Sequence, residues 1–294
     1  MAAKIAPRLV IFSDLDGTFL DHDSYAFDEA LPAFGGCQSS GAPVVFCSSK
    51  TRAEMAPLLR QLEVTDPFIP ENGGAIFVPH GYFPFPVDFD FHFDRFGVIQ
   101  LGAPYGTLIS ALDDLSQSMG IPVRAFHQMT PSELAAETGL PAWKAELAAT
   151  REYDEPFTFR SAASPDVDRF LGAVRSRGLR WTKGGRFHHI LGHAGKRPAV
   201  SILASLYRRW NHAVRIAGCG DSINDTGMLT AVDLPILVQK PDGNYDDAVA
   251  RMLPAVQRSP RPGPSGWNVS VRHLLAEMNA LPAQPRAFAL SARG

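Results

Sequence analysis

Two carboxylates two residues apart, Asp14 and Asp16, stand where the apolar run Leu9 to Phe12 gives way to Gly17 and Thr18. On an extended segment, residues two apart point to the same side, and the glycine permits a sharp departure from the strand. One such carboxylate can attack an electrophile while its neighbour handles a proton. A D-x-D alone fits a turn cap or an isolated divalent-metal site equally well. Three further stations share the setting of a strand giving way to a turn. Ser48 ends the run Pro43 to Ser48, and Ser49, Lys50 and Thr51 follow it at a helix start. A hydroxyl and free amides at a helix N-terminus hold an anion, although plain capping is the commoner use of Ser and Thr there. Lys196 opens another helix and can neutralise a phosphoryl charge. It is no P-loop lysine, because Ile190 stands where that motif requires glycine. The last station is Gly218 to Asp225, in which Ile223 replaces the third glycine of a dinucleotide loop. Its acids point to a metal instead: Asp14, Asp16, Asp221 and Asp225 are the donors that hard Mg²⁺ takes.

These stations require a scaffold that brings strand ends together. Arg8 to Ser13 and Pro43 to Ser48 read as buried strands, separated by a helical pattern from about Phe27 to Ser40 that stops at Gly41. Thr51 and Glu54 have capping-box spacing and start a second helix. The stretch Phe85 to Phe93 alternates apolar and polar residues strictly, which predicts a half-buried strand with a core aromatic stripe. Helices are expected at Tyr105 to Met119, Pro131 to Glu137, Pro141 to Thr150 and Pro165 to Arg177, and strands at Pro156 to Arg160 and Arg180 to Lys183. A helix from Lys196 to about Trp210, a strand Val214 to Ala217, a turn from Gly218, a strand Leu234 to Val238, a Pro/Gly linker Ser259 to Gly266 and a helix near Asn268 to Met278 complete the pattern. The reading is an α/β protein. Its Rossmann-like parallel-sheet core is discontinuous (residues 1–80 and 189–280), with an inserted α+β module at 81–188 and a mobile tail at 281–294.

The composition narrows the function. The 28 Lys and Arg against 30 Asp and Glu leave a net charge of −2, without the basic excess that phosphate-backbone binding needs, so no nucleic-acid partner is expected. No apolar run approaches the ~20 residues of a membrane span, and the start lacks the apolar stretch of a secretory signal. With three scattered cysteines, Cys37, Cys47 and Cys219, the chain reads as cytoplasmic, with neither a disulfide framework nor a zinc site. Oligomeric state is left open. His188, His189 and His193 do not read as a metal cluster, since adjacent strand residues face opposite sides.

Taken together and in order, D-x-D-G-T, the strand-end serine, the helix-opening lysine and G-D-S-x-N-D resemble the haloacid dehalogenase superfamily of aspartate-based phosphatases. The insertion between the second and third motifs is similar to the cap of its sugar-phosphatase branch. Residues 46–51, 70–74, 151–157, 185–188 and 263–268 are similar to the mannosyl-3-phosphoglycerate phosphatase family. The resemblance implies a catalytic set of Asp14 as nucleophile, Asp16 as acid and base, and Ser48 and Lys196 on the phosphoryl oxygens, with Mg²⁺ as cofactor and a small sugar phosphate as substrate. For substrate binding it directs attention to Arg151, Glu152, Asp154, Lys183, Arg186 and His188 in the insertion. On the core side the matching candidates are Ser49, Lys50, Glu71, Asn72 and Asn224.

Overall fold

The alternation of apolar runs and helical patterns builds a five-stranded parallel sheet of order β12-β11-β10-β1-β2. The computed structural model describes residues 5–160, 163–184, 186–193 and 195–280; the tail read as mobile lies outside them. The first half of the chain supplies β1 (Leu9–Ser13), α1 (Leu31–Ser40), β2 (Val44–Phe46) and α2 (Arg52–Gln61). An antiparallel sheet of β3 (Ala75–Pro79), β4 (Phe91–Phe93) and β5 (Phe96–Gln100) follows, ordered β3-β5-β4. Next come α3 (Tyr105–Met119), β6 (Val123–Ala125), α4 (Pro131–Thr138), α5 (Ala142–Ala149), β7 (Asp154–Phe159), α6 (Ser164–Ser176), β8 (Arg180–Gly184) and β9 (Phe187–Leu191). Here the antiparallel sheet order is β6-β7-β9-β8. The parallel sheet is completed by α7 (Lys196–Trp210), β10 (Arg215–Gly220), α8 (Thr226–Leu229), β11 (Leu234–Gln239), α9 (Asp247–Met252), β12 (Gln257–Pro262) and α10 (Gly263–Ala280).

Local chemistry explains several element ends. Thr51 Oγ1 accepts from the Glu54 amide at 3.0 Å, and Glu54 Oε2 accepts from the Thr51 amide at 2.8 Å, so the capping box starts α2 as its spacing predicts. β1 and β2 are mostly β-branched or aromatic and fully buried, as a parallel sheet covered on both faces requires. One apolar cluster lies on each face: Leu9, Ile11, Phe46 and Trp267 on one, Val10, Phe12, Leu203 and Tyr207 on the other.

The structure corrects the sequence reading in three places. Of the stripe Phe85 to Phe93, only Phe91–Phe93 pairs as a strand. Pro84 and Pro86 carry no amide to donate, so the preceding stretch runs irregularly while Phe83, Phe85, Val87 and Phe89 pack onto the cluster containing Val10 and Tyr207. Phe91 and Phe93 are exposed. The strand expected to end at Ala217 continues to Gly220, because its neighbours β1 and β11 bond it along that length. Finally, Gln257–Pro262 is an edge strand rather than a linker; prolines are tolerated where one side pairs with nothing. The stretch 82–101, placed by the sequence reading within the insertion, packs on the parallel-sheet side, whereas α3, α6 and β6 to β9 enclose their own cluster around Leu112, Phe157, Phe170 and Ile190.

Candidate active site

Strands β1 and β10 run side by side, Ser13 opposite Cys219, and the Asp14 amide donates to Cys219 O at 2.9 Å. The chain departs from both strands here, at the carboxyl edge where the sheet order reverses, the place where open α/β sheets present ligands. Gly17 turns with φ +72°, and a Cβ there would lie 2.7 Å from Asp221 Oδ2, so the two loops touch. Lys196, the first residue of α7, is buried with its Nζ 2.6 Å from Asp14 Oδ1 and 2.6 Å from Asp225 Oδ1. Asp14, Asp221 and Asp225 each bring an oxygen within 4.8 Å of the others. The Asp221 and Ser222 amides donate to Asp225 Oδ2 and fix its carboxylate.

Three acids around one ammonium leave an excess of negative charge in a desolvated site. Burial, with Asp225 second, drives the Asp14 carboxyl well above the ordinary range while Lys196 opposes the rise. Burial and Asp225 push Asp221 to about 7. Burial disfavours the Lys196 ammonium, but Asp14 and Asp225 outweigh it and hold the lysine charged. A cluster of hard oxygen donors short of positive charge is chemically suited to a divalent cation such as Mg²⁺.

Asp16, one of the four acids assigned to the metal, stands outside this cluster; its Oδ1 is 2.9 Å from Lys50 Nζ. The spacing rule fails because Leu15, fully buried, has a carbonyl that accepts from the Thr18 and Leu20 amides, so the chain has already turned by Asp16. Ser48 is buried at the end of β2, beside β1, where the Cys47 amide donates to Ser13 O at 2.8 Å. Its Oγ accepts from the Lys50 amide.

Glu71, Asn72, Arg151 and Asp154, candidates for substrate contact, are buried and bonded to one another's segments. Glu71 and Asn72 adopt φ values of 47° and 55°. Gly73 follows at +92°, where a Cβ would strike Gly195 O at 2.3 Å, so this turn is pressed against the start of α7. The Glu71 carboxylate accepts from the Glu152 and Tyr153 amides. Asn72 Nδ2 donates to Asp154 Oδ2 at 2.7 Å. Arg151 donates to Asp154 O and to Ser49 O and ion-pairs with Asp154 Oδ1 at 3.0 Å. Burial raises Glu71 to about 7 against the pull of Arg151. For Asp154 burial also works upward, but Arg151, His189 and Asn72 together hold it below the usual carboxylate range. Sequence reasoning missed two partners at this seam. Arg52 grips Glu152 through two nitrogens, and His189 Nδ1 lies 2.9 Å from Asp154 Oδ1.

The four-stranded sheet has two faces. Trp181, Ile190 and Phe157 point into the cluster under α3 and α6, and His188 packs against Phe157, Phe159 and Trp181. Lys183, two residues from Trp181, shares that face, and Arg186 donates to Glu137 O at 2.8 Å on the exposed rim. These three candidates therefore lie away from the acid cluster. The opposite face, with Asp154 and His189, meets the parallel-sheet core; Arg180 and Thr182 belong to it by strand alternation. A cleft of about 290 Å³ is lined there by Arg180 and Thr182 from β8 and by Asn72, Lys196 and Asn224 from the core. Alternation around the apolar Trp181 was the signal available in the sequence that Lys183 faces away from this cleft.

A parallel sheet with an inserted α+β module and an aspartate–lysine cluster at its carboxyl edge defines a haloacid dehalogenase-like hydrolase, the family whose pattern residues 11–83 match. A solved structure from Thermoplasma acidophilum shares the fold with a TM-score of 0.64 at 18% identity, over 92% of this chain and 98% of the other. The glucosyl-3-phosphoglycerate/mannosyl-3-phosphoglycerate phosphatase of Methanococcoides burtonii is 38% identical, over 92% of this chain and 98% of its own. The mannosyl-3-phosphoglycerate phosphatase of Pyrococcus horikoshii is 34% identical, over 78% of this chain and 90% of its own. The chain belongs to this family of glycosyl-3-phosphoglycerate phosphatases within the haloacid dehalogenase-like hydrolases.

Proposed function

We propose that the protein is a Mg²⁺-dependent phosphatase that hydrolyses mannosyl-3-phosphoglycerate to mannosylglycerate and phosphate. The observation that carries the reading is the buried Lys196 bridging Asp14 and Asp225, with Asp221 beside them, where β1 and β10 end. An Asp14 carboxylate oxygen attacks phosphorus, the bond to the glycerate C3 oxygen breaks, and Asp16 gives that oxygen its proton. Asp16 then takes a proton from water as the water attacks the aspartyl-phosphate and frees Asp14, so one hard displacement becomes two easier ones. Lys50, 2.9 Å away, holds the Asp16 carboxylate in place. Ser48 and Lys196 hold the phosphoryl oxygens, because phosphoryl transfer depends chiefly on positioning and charge stabilisation. Asp14, Asp221 and Asp225 would hold Mg²⁺, which supplies further neutralisation of phosphoryl charge when bound. The segment from α3 to β9 acts as the cap that excludes water and selects the leaving group. A cytoplasmic setting is supported by three buried free thiols.

The relative from Methanococcoides burtonii, named for both glucosyl and mannosyl substrates, supports turnover of the glucosyl compound as well. Phosphate release with and without Mg²⁺ from both glycosyl-3-phosphoglycerates, 3-phosphoglycerate, sucrose-6-phosphate and mannose-6-phosphate tests the reading. The glycosyl-3-phosphoglycerates are expected to lead, and Asp14→Asn is expected to lose essentially all turnover. An Asp14→Asn enzyme within a few-fold of wild type would remove the nucleophile assignment.

A further inference from the structure

The leaving group of the proposed reaction departs on the side of Asp16. Attacking and leaving oxygens lie roughly in line across phosphorus, so with Asp14 on one side the glycerate oxygen is on the other, where Asp16 protonates it. 3-Phosphoglycerate has one free hydroxyl to carry a sugar, on the carbon next to the phosphate-bearing one, and the carboxylate branches from that same carbon. Both groups must therefore be received close to Asp16. Asp16 is turned toward Lys50, 2.9 Å away, and Lys50 forms part of the wall of a cleft of about 270 Å³ between the loop after β1, helix α2 and helix α5 of the inserted module.

We propose that Tyr25, Trp143 and Lys144 form the seat of this leaving group, the two rings against the sugar and the Lys144 ammonium on the carboxylate. The inference rests on the phosphatase reading above and adds the residues that select its substrate. Tyr25 stands at φ 59°, a left-handed conformation that residues other than glycine seldom adopt, in a turn where the Asp21 amide donates to Ala26 O and the Tyr25 amide to Asp21 O. There its ring centroid lies 4.8 Å from Lys50 Nζ and 4.9 Å from Lys144 Nζ, so a single ring links the lysine that holds Asp16 to a lysine of the module. The Trp143 ring, 5.6 Å from the same Lys144 ammonium, is 56% exposed and leaves aromatic surface open to a ligand in the cleft. An aromatic wall with a few placed polar groups suits a sugar ring, whose C–H faces pack on aromatic carbon. Among the described residues the Lys144 ammonium meets these rings but no carboxylate, and Glu54, the acid on the cleft wall, is committed to the Thr51 amide at 2.8 Å. A carboxylate placed at Lys144 gains a charge-assisted hydrogen bond. Thr51 Oγ1 donates to Leu147 O at 2.9 Å and holds α5 on the core, so the seat is assembled from both parts of the molecule.

The test measures kcat and KM for mannosyl-3-phosphoglycerate, and inhibition by inorganic phosphate, in wild type, Trp143→Ala, Lys144→Met and Lys144→Arg. Phosphate fills the phosphoryl site alone and does not reach the seat. Lys144→Met should raise KM about tenfold or more, and Lys144→Arg should recover most of that loss. Trp143→Ala should raise KM about three- to tenfold. In all three variants kcat and the phosphate inhibition constant should stay within about twofold of wild type, because contacts made equally in the ground and transition states change KM alone. The proposal is overturned if either Lys144→Met or Trp143→Ala keeps the wild-type KM, if Lys144→Arg is as impaired as Lys144→Met, or if phosphate inhibition weakens in step with KM, which would place the damage at the phosphoryl site. A wild-type enzyme that releases no phosphate from either glycosyl-3-phosphoglycerate while hydrolysing another ester would overturn the substrate reading, and the seat with it. Variants with wild-type KM in an enzyme that does hydrolyse them would leave that reading standing and remove only the seat.

Discussion

Lys196 shows how one side chain holds the site together in the absence of substrate. Its ammonium faces three clustered acids, two of which it touches at 2.6 Å, and it is almost completely buried. Lys196→Met keeps the length and removes the charge, leaving the largely buried carboxylates unbalanced. Removing one partner of a buried pair costs about 3–5 kcal/mol, so a urea melt in chelator should show a loss of that order. Added Mg²⁺ should restore part of it, since a ligand that binds the native state alone stabilises it. An unchanged midpoint in chelator would mean that the acids do not depend on the lysine. At this scale the sequence was most informative where a charged residue followed a buried run, as at Asp14, Lys196, Asp221 and Asp225. It was least so where one turn decides direction. Leu15 carries Asp16 away toward Lys50, and three positions along β8 put Arg180 and Lys183 on opposite faces of the sheet.

The turn at residues 70–74 is the element that ties chemistry to scaffold. Its left-handed Glu71 and Asn72 aim a carboxylate and an amide at the start of β7 and at the amides before it, and Gly73 lets it lie on the start of α7. Glu71 is pushed from 4.5 to about 7, chiefly by burial. A carboxyl whose folded pKa lies above its unfolded value contributes stability that is complete below the unfolded pKa and lost as pH rises through the folded one. Between about pH 4.5 and 7 the native state should therefore weaken, by an amount on the order of 3 kcal/mol. Unfolding free energies at pH 5 and 7.5 should fall less steeply in Glu71→Gln than in wild type; equal slopes would assign the titration elsewhere. Nothing in Pro70 to Gly74 announces this role, because the partners, Glu152 and Tyr153, lie some eighty residues away in sequence. By contrast α2 was legible from its capping box and α3 and α7 from their helical pattern, since those signals are local. The sheet β3-β5-β4 was not, because aromatic alternation describes a half-buried surface whether or not the backbone pairs, and Pro84 and Pro86 removed the pairing.

Across the whole molecule, a polar seam ties the inserted module to the core. Residues 48–54 and 71–72 supply one side and residues 147–154 the other: Thr51 Oγ1 donates to Leu147 O, Arg151 to Ser49 O, Arg52 to Glu152 and Asn72 to Asp154. The half-exposed Arg52–Glu152 pair is worth at most about 1 kcal/mol, as surface pairs generally are. Asp154 is different in kind: fully buried, it accepts from Asn72 and meets Arg151 and His189 at 3.0 and 2.9 Å. In Asp154→Asn the neutral amide leaves the Arg151 guanidinium short of its counter-charge and turns an N–H group toward its former donors, a change expected to cost about 3 kcal/mol. If the seam governs how the module rides on the core, that cost should be paid locally. Native-state hydrogen exchange should then quicken in residues 70–74 and 147–155 while β1 and β10 keep their protection. Protection lost uniformly, including in β1 and β10, would instead make Asp154 part of one indivisible core. Unchanged exchange along the seam would show that apolar contacts such as Tyr153 against Gly74 and Gly102 hold the two parts together.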